Sequence, residues 1–124
     1  AAARIDDAAN YLPARLTALL MALAACIPFR QGKSARNLKE ELRFIRRYGR
    51  MHASPNSGYP EAALAGILDC RFGGSHHYFG EYCFKPYIGN RLRPLTTTDM
   101  QQAVAVNRRA EILMVLTGIL LYLL

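Results

Sequence analysis

Two apolar runs, Leu16 to Phe29 and Ile112 to Leu124, bracket a polar stretch whose basic residues crowd into positions 30 to 50. Hydrophobic residues make up 52% of the chain, yet mean hydropathy is only +0.02, so the average conceals a division into apolar and charged blocks. Extended back to Pro13, the first run reaches 17 residues. A helix of that length covers about 25 Å, a little under the roughly 30 Å of hydrocarbon in a bilayer. The second run covers about 20 Å, but it continues a segment with no Pro or Gly from 99 to 117. Thr98 with Gln101 three residues on forms a capping-box signal for that segment. One helix is expected to start in water and enter the bilayer near Arg108 and Arg109, whose long side chains can sit at the boundary. The expected architecture is all-α, a helical integral membrane protein with membrane segments at about 13–29 and 108–124 and a polar segment at 30–107. A buried helix of a soluble bundle is the other reading of the first run.

Residues 30 to 50 hold Arg30, Lys33, Arg36, Lys39, Arg43, Arg46, Arg47 and Arg50 against Glu40 and Glu41, and so supply six of the seven net positive charges. Ala35, Leu38, Leu42 and Ile45 recur at helical spacing beside them, which describes an amphipathic basic helix able to rest on anionic headgroups. Such charge density favours the cytoplasmic side of a membrane. Only Phe44 and Tyr48 fall within the basic run, too few aromatics for a stacking platform, so no nucleic-acid partner is expected. Cys26, Cys70 and Cys83 are odd in number and form no C-x-x-C pair, which argues against a disulfide framework. The set Cys70, His76, His77 and Cys83 has spacing atypical of structural zinc. No Walker A, Rossmann or kinase-loop pattern is present.

Residues 52 to 66, HASPNSGYPEAALAG, set His52, Ser54, Asn56 and Glu61 around a turn that opens a helix. Pro55 presets φ, Asn56 and Gly58 tolerate positive φ, and Pro60 suits a first helical position. A helix N-terminus that follows polar side chains favours anions, although a well-bonded turn and cap accounts for the same residues. Upstream, Asp6 and Asp7 lie four and three residues before Asn10, so all three share one face if helical. Paired carboxylates suit Mg²⁺ that keeps several waters and bridges to phosphates, while a helix cap needs the same residue types. Arg15, inside an apolar segment, should either point at a polar site or snorkel to the surface. Residues 70 to 98, rich in Gly, Pro and aromatics, read as a glycine-rich ordered loop, with a short hairpin as one form open to it. Lys85, Arg91 and Arg93 in that loop are phosphate candidates. Ala62 and Gly66 permit close helix packing.

RIDDAANYLPARLT at 4–17, the 52–66 block, Gly73 with Gly74, YFGE at 78–81 and KPYIG at 85–89 together resemble the adenosylcobinamide-phosphate synthases of cobalamin biosynthesis, the CbiB/CobD type, over the C-terminal part of a family member. The resemblance implies a polytopic enzyme of the inner membrane with its site facing the cytoplasm. Its reaction joins a carboxylate of adenosylcobyric acid, a corrinoid, to the amine of aminopropanol phosphate or a related amino-alcohol phosphate. ATP would activate the carboxylate as an acyl phosphate, and Mg²⁺ on Asp6 and Asp7 would balance phosphate charge. The family pattern further implies catalytic roles for His52, Ser54, Asn56, Glu61 and Arg15, and substrate or phosphate contacts for Asn10, Tyr11, Lys85, Arg93, Gly73 and Gly74. His52 or Glu61 can take a proton from the attacking ammonium, whereas no Ser-His-acid order supports Ser54 as a nucleophile. The chain begins without Met and is expected to be a fragment or a split subunit that works with the N-terminal remainder of the protein. The alternative from another class is a noncatalytic membrane-surface module that binds lipid or protein, which has no need of the 52–61 block.

Overall fold

The computed structural model describes residues 1–27, 37–52 and 54–124, except for the side chains of 75–78, 83 and 85. Within these, the chain forms α1 (Ala2–Ala24), α2 (Leu38–Tyr48), α3 (Gly58–Leu68), a hairpin of β1 (Phe72–Tyr78) and β2 (Glu81–Ile88), and α4 (Thr97–Leu123). The mainly helical expectation therefore holds, with the 70–98 segment as its exception.

Helix α1 joins a polar half to the apolar run without a break at Pro13. Proline lacks the N–H that would bond one turn back, but the alanine-rich sequence favours helix on both sides. Asp6 and Asp7 consequently lie in the helix interior, and the cap at Ala1 uses no side chain, so the reading of the acidic pair as helix caps is corrected. The apolar end buries Ala18, Leu20, Ala22 and Ala24, whose small side chains let neighbouring helices approach closely. α1 ends at Ala24, short of the expected boundary at 29.

Helix α3 is buried along most of its length, with Ala62, Ala63, Ala65, Gly66, Ile67 and Leu68 inside. α1 contributes Ala18 and Ala22 to a cluster with Ala63 and Ile45, while Phe44 and Tyr48 of α2 meet Ala62, Ala65 and Leu68 in another. Close approach depends on Gly66, where an added Cβ would lie 2.4 Å from a Glu41 carboxylate oxygen. The small-residue reading of Ala62 and Gly66 is thus realised as packing. In α2 the buried face is Glu41, Phe44, Ile45 and Tyr48, whereas Leu42 turns outward; that corrects the expected stripe. Ala35 and Arg36 lie outside the described residues. Asn37 caps α2 by accepting from the Lys39 N–H at 2.8 Å.

The hairpin pairs Tyr78 with Glu81 across Phe79 and Gly80, both at positive φ (51° and 80°). A two-residue turn of that form matches the twist of the strands. Phe72 and Ile88 anchor its base in the core beside Cys70. Gly89 makes the closure sterically feasible, since a Cβ there would sit 2.2 Å from the Cys70 carbonyl oxygen. α4 is one continuous helix, as expected, but its capping box is Thr96 with Asp99 rather than Thr98 with Gln101. Val106 packs with Ala25 and Ile67. Arg109 Nη1 donates to the Ala24 and Ile27 carbonyl oxygens at 3.3 and 2.7 Å, closing the end of α1. Among the described residues, no helix is long and apolar enough to cross a membrane.

Candidate active site

Asn56 joins two sequence segments that lie 41 to 49 residues apart. Its Nδ2 donates to the Asp7 carbonyl oxygen at 2.8 Å, and its Oδ1 accepts from Arg15 Nη1 at 3.2 Å. The residue is 6% exposed, and satisfying both ends of a buried amide fixes its orientation. Arg15 also donates to the Tyr11 carbonyl oxygen at 2.9 Å. Its guanidinium lies over the rings of Tyr11 and Tyr59, 3.5 and 4.2 Å from their centroids. This is the inward orientation rather than the snorkelling one.

A cleft of about 400 Å³ opens beside the Asn56 bridge, lined by Asp6, Asp7 and Asn10 on α1 and by Ser54, Asn56 and Ser57 on the turn. Asn10 Nδ2 donates to Asp6 Oδ1 at 3.1 Å and to the Asp6 carbonyl oxygen at 3.0 Å, which holds that carboxylate along the helix. Among the described residues no three His, Cys, Asp or Glu side chains gather to hold a metal ion. Two carboxylates at one cleft are nevertheless enough for Mg²⁺, which fills its remaining positions with waters and phosphate oxygens. Ser54 Oγ accepts from the backbone N–H groups of Asn56 and Ser57 at 3.3 and 3.4 Å, so it shapes the turn.

His52 and Glu61 pair across the turn, with Nδ1 3.4 Å from Oε2. The His52 side chain is 8% exposed, and its Nε2 is buried with no hydrogen-bond partner among the described residues. Neither residue is among those that line the cleft.

Other expected site residues lie elsewhere. Arg93 is a correction: all five of its N–H donors are engaged within the fold. It forms a fork with Asp99 at 2.7 and 2.8 Å, and it also donates to the Leu68, Asp69 and Pro94 carbonyl oxygens. No donor is left for phosphate. The fork and the Thr96 bonds hold the Asp99 carboxyl well below the usual carboxylate range. Arg91 pairs with Asp69 at 2.8 Å. Gly73 and Gly74 adopt positive φ in β1 beside a register shift, and a Cβ on Gly74 would press on the Tyr87 ring. They serve the hairpin and lie apart from the cleft. Lys85 is opposite Gly74 in β2, with its side chain outside the described residues. The same holds for His76, His77 and Cys83 of the zinc candidate; Cys70 is packed into the core, and burial pushes its thiol up to about 11.

Two residues that the sequence did not single out complete the arrangement. Arg50 Nε donates to the Tyr59 hydroxyl at 3.3 Å. That bond is the main reason the Tyr59 phenol sits below its ordinary pKa, and the Arg15 charge adds to it. The basic count of 30–50 gave no reason to separate Arg50 from its neighbours.

The acidic helix face and the polar turn tied to it by one buried amide fall within the two longest blocks of the resemblance, 4–17 and 52–66. The chain belongs to the CobD/CbiB family: residues 1–107 match the family described as CobD/Cbib protein. It is 48% identical over 116 residues to the cobalamin biosynthesis protein CobD of Geobacter metallireducens, covering 94% of this chain and 35% of that protein. Proteins of the same name from Desulfotalea psychrophila and Klebsiella pneumoniae are 46% and 44% identical, covering 83% and 82% of this chain and 29% and 30% of theirs. The chain thus spans about a third of the length of these relatives. No solved structure matches it.

Proposed function

We propose that this chain carries the Asp6–Asn10 and 52–61 parts of an adenosylcobinamide-phosphate synthase. That enzyme would form the amide between adenosylcobyric acid and aminopropanol phosphate or a related amino-alcohol phosphate, with ATP, as a step of cobalamin biosynthesis. The observation that carries the proposal is the Asn56 bridge, which brings the acidic face of α1 and the polar turn to one cleft. Asp6 and Asp7 would hold Mg²⁺, and the bound ion would offset phosphate charge. Arg15, fixed by Asn56 and Tyr11, keeps a positive charge beside the turn. An ammonium must lose a proton before it attacks an acyl carbon, and a positioned imidazole does this near neutral pH. In this reading Glu61 orients His52 through Nδ1, and the buried Nε2 receives the proton once substrate binding opens the turn to the amine.

The substrates and the remaining two-thirds of the protein belong to the proposal, as does residence in the cell membrane with the cleft facing the cytoplasm. Support for the membrane comes from the exposed apolar end of α4, from Ile112 to Leu124, and from the exposed basic face of α2. The test is amide formation by the full-length protein supplied with adenosylcobyric acid, aminopropanol phosphate, ATP and Mg²⁺. His52→Ala should lower turnover about 10²- to 10⁴-fold, with partial recovery at higher pH as more amine becomes neutral. Absence of product from the wild-type protein would refute the synthase reading, and full activity of His52→Ala would remove the base.

A further inference from the structure

We propose that Arg15 and Arg50, set against the same tyrosine, form the binding site for a terminal phosphate monoester, the phosphate end of the amino-alcohol substrate. The inference deepens the synthase reading and rests on it for the identity of the ligand. Arg50 Nε bonds the Tyr59 hydroxyl at 3.3 Å while the Arg15 guanidinium lies 4.2 Å from the centre of the Tyr59 ring. Neither cation has a carboxylate partner among the described residues. Two guanidiniums gathered around one phenol concentrate positive charge at one place, and the guanidinium fork matches phosphate oxygens. Arg50 is exposed, and its two Nη nitrogens have no partner among the described residues. Tyr59 lies in the first turn of α3, an 11-residue helix, so the helix N-terminus adds to the attraction for an anion.

The fold builds this convergence deliberately close. A Cβ on Gly58 would fall 2.3 Å from the Gly49 carbonyl oxygen, and one on Gly49 would fall 2.8 Å from the Tyr59 ring. The end of α2 and the start of α3 are therefore in backbone contact, and this brings Arg50 to Tyr59. Arg50 and His52 are two residues apart on one side of the turn, as are Tyr59 and Glu61 on the other. The phosphate site and the proposed base thus lie two residues apart along each side of the turn, a spacing that suits a short substrate with phosphate at one end and amine at the other. Asn56 both lines the cleft and touches Arg15, so the two sites share a wall.

The experiment is titration calorimetry on the full-length protein with aminopropanol phosphate, aminopropanol, inorganic phosphate, ATP and vesicles of anionic lipid. Aminopropanol phosphate should bind, inorganic phosphate should compete, and aminopropanol should bind far more weakly. Arg50→Gln should weaken aminopropanol phosphate roughly 10- to 100-fold, the range of a lost charge-assisted hydrogen bond. Arg50→Lys should fall between, and Arg43→Gln, on the exposed face of α2, should match wild type. Unchanged affinity in Arg50→Gln would overturn the site, as would Arg50 dependence confined to ATP or to vesicles. If phosphate binding follows Arg50 but the wild-type protein makes no amide, the synthase reading fails and the anion site stands. If Arg50→Gln keeps both its phosphate affinity and its synthase activity, the anion site fails and the synthase reading stands.

Discussion

Asn56 does structural and chemical work with one amide. It is buried, and each end of its side chain bonds a different part of α1. Asn56→Ala removes both bonds, one of them to a guanidinium, and should cost about 2–4 kcal/mol. Chemical denaturation of the purified full-length variant checks this; a loss under about 0.5 kcal/mol would mean that the bridge does not hold the turn to α1. At this scale Arg15 and Asn56 were legible because each stands inside a recognisable block, and a costly charge in an apolar segment calls for a partner. Arg50 was not legible, because its link to Tyr59 depends on the backbone contact between Gly49 and Gly58, which spacing does not reveal. Arg93 misled for the converse reason. Its partners are an aspartate six residues on and carbonyls about 25 residues back, so a saturated guanidinium looked like an available one.

Among the elements, the connection between α3 and α4 depends on that saturated guanidinium. Asp99 caps α4 with Thr96 and at the same time receives the Arg93 fork. Its pKa is lowered in the folded chain. As pH falls, the unfolded chain takes up this proton first, near the ordinary value of about 4. The contribution of the pair is therefore complete at neutral pH and is lost progressively as pH drops below about 4. Asp99→Asn should destabilise the fold by about 3 kcal/mol at pH 7, and its stability should fall less steeply with acid than that of wild type. Melting curves from pH 3 to pH 7 test this, and parallel acid dependence in both proteins would assign the effect elsewhere. Hydrophobic periodicity made α2 readable and an uninterrupted run without Pro or Gly made α4 readable, though the α4 cap lay two residues earlier than the expected one. The hairpin gave little sign of itself. Its turn places Phe79 at φ 51°, where Asn or Asp would have signalled a two-residue turn and Phe does not.

Across the whole molecule, apolar surface is unevenly covered. α3 is enclosed, while the end of α4 leaves Leu116, Ile119, Leu120, Leu121 and Leu123 exposed. α1 and α4 each join a polar half to an apolar half, which is why neither qualifies as a membrane-crossing helix despite its length. If the apolar ends enter a bilayer as part of the longer protein, alkaline carbonate should leave that protein in the membrane pellet; release into the supernatant would refute insertion. The central claim is that the acidic face of α1 and the 52–61 turn form one Mg²⁺-dependent active site. Its most direct test is a Mg²⁺ titration of amide synthesis by the full-length protein beside its Asp6→Asn and Asp7→Asn variants, each confirmed folded by its melting curve. Both carboxylates line the cleft without an ion-pair partner among the described residues, so both variants should fold, turn over far more slowly and need more Mg²⁺ for half-maximal rate. Wild-type rates with unchanged Mg²⁺ dependence in both variants would contradict it.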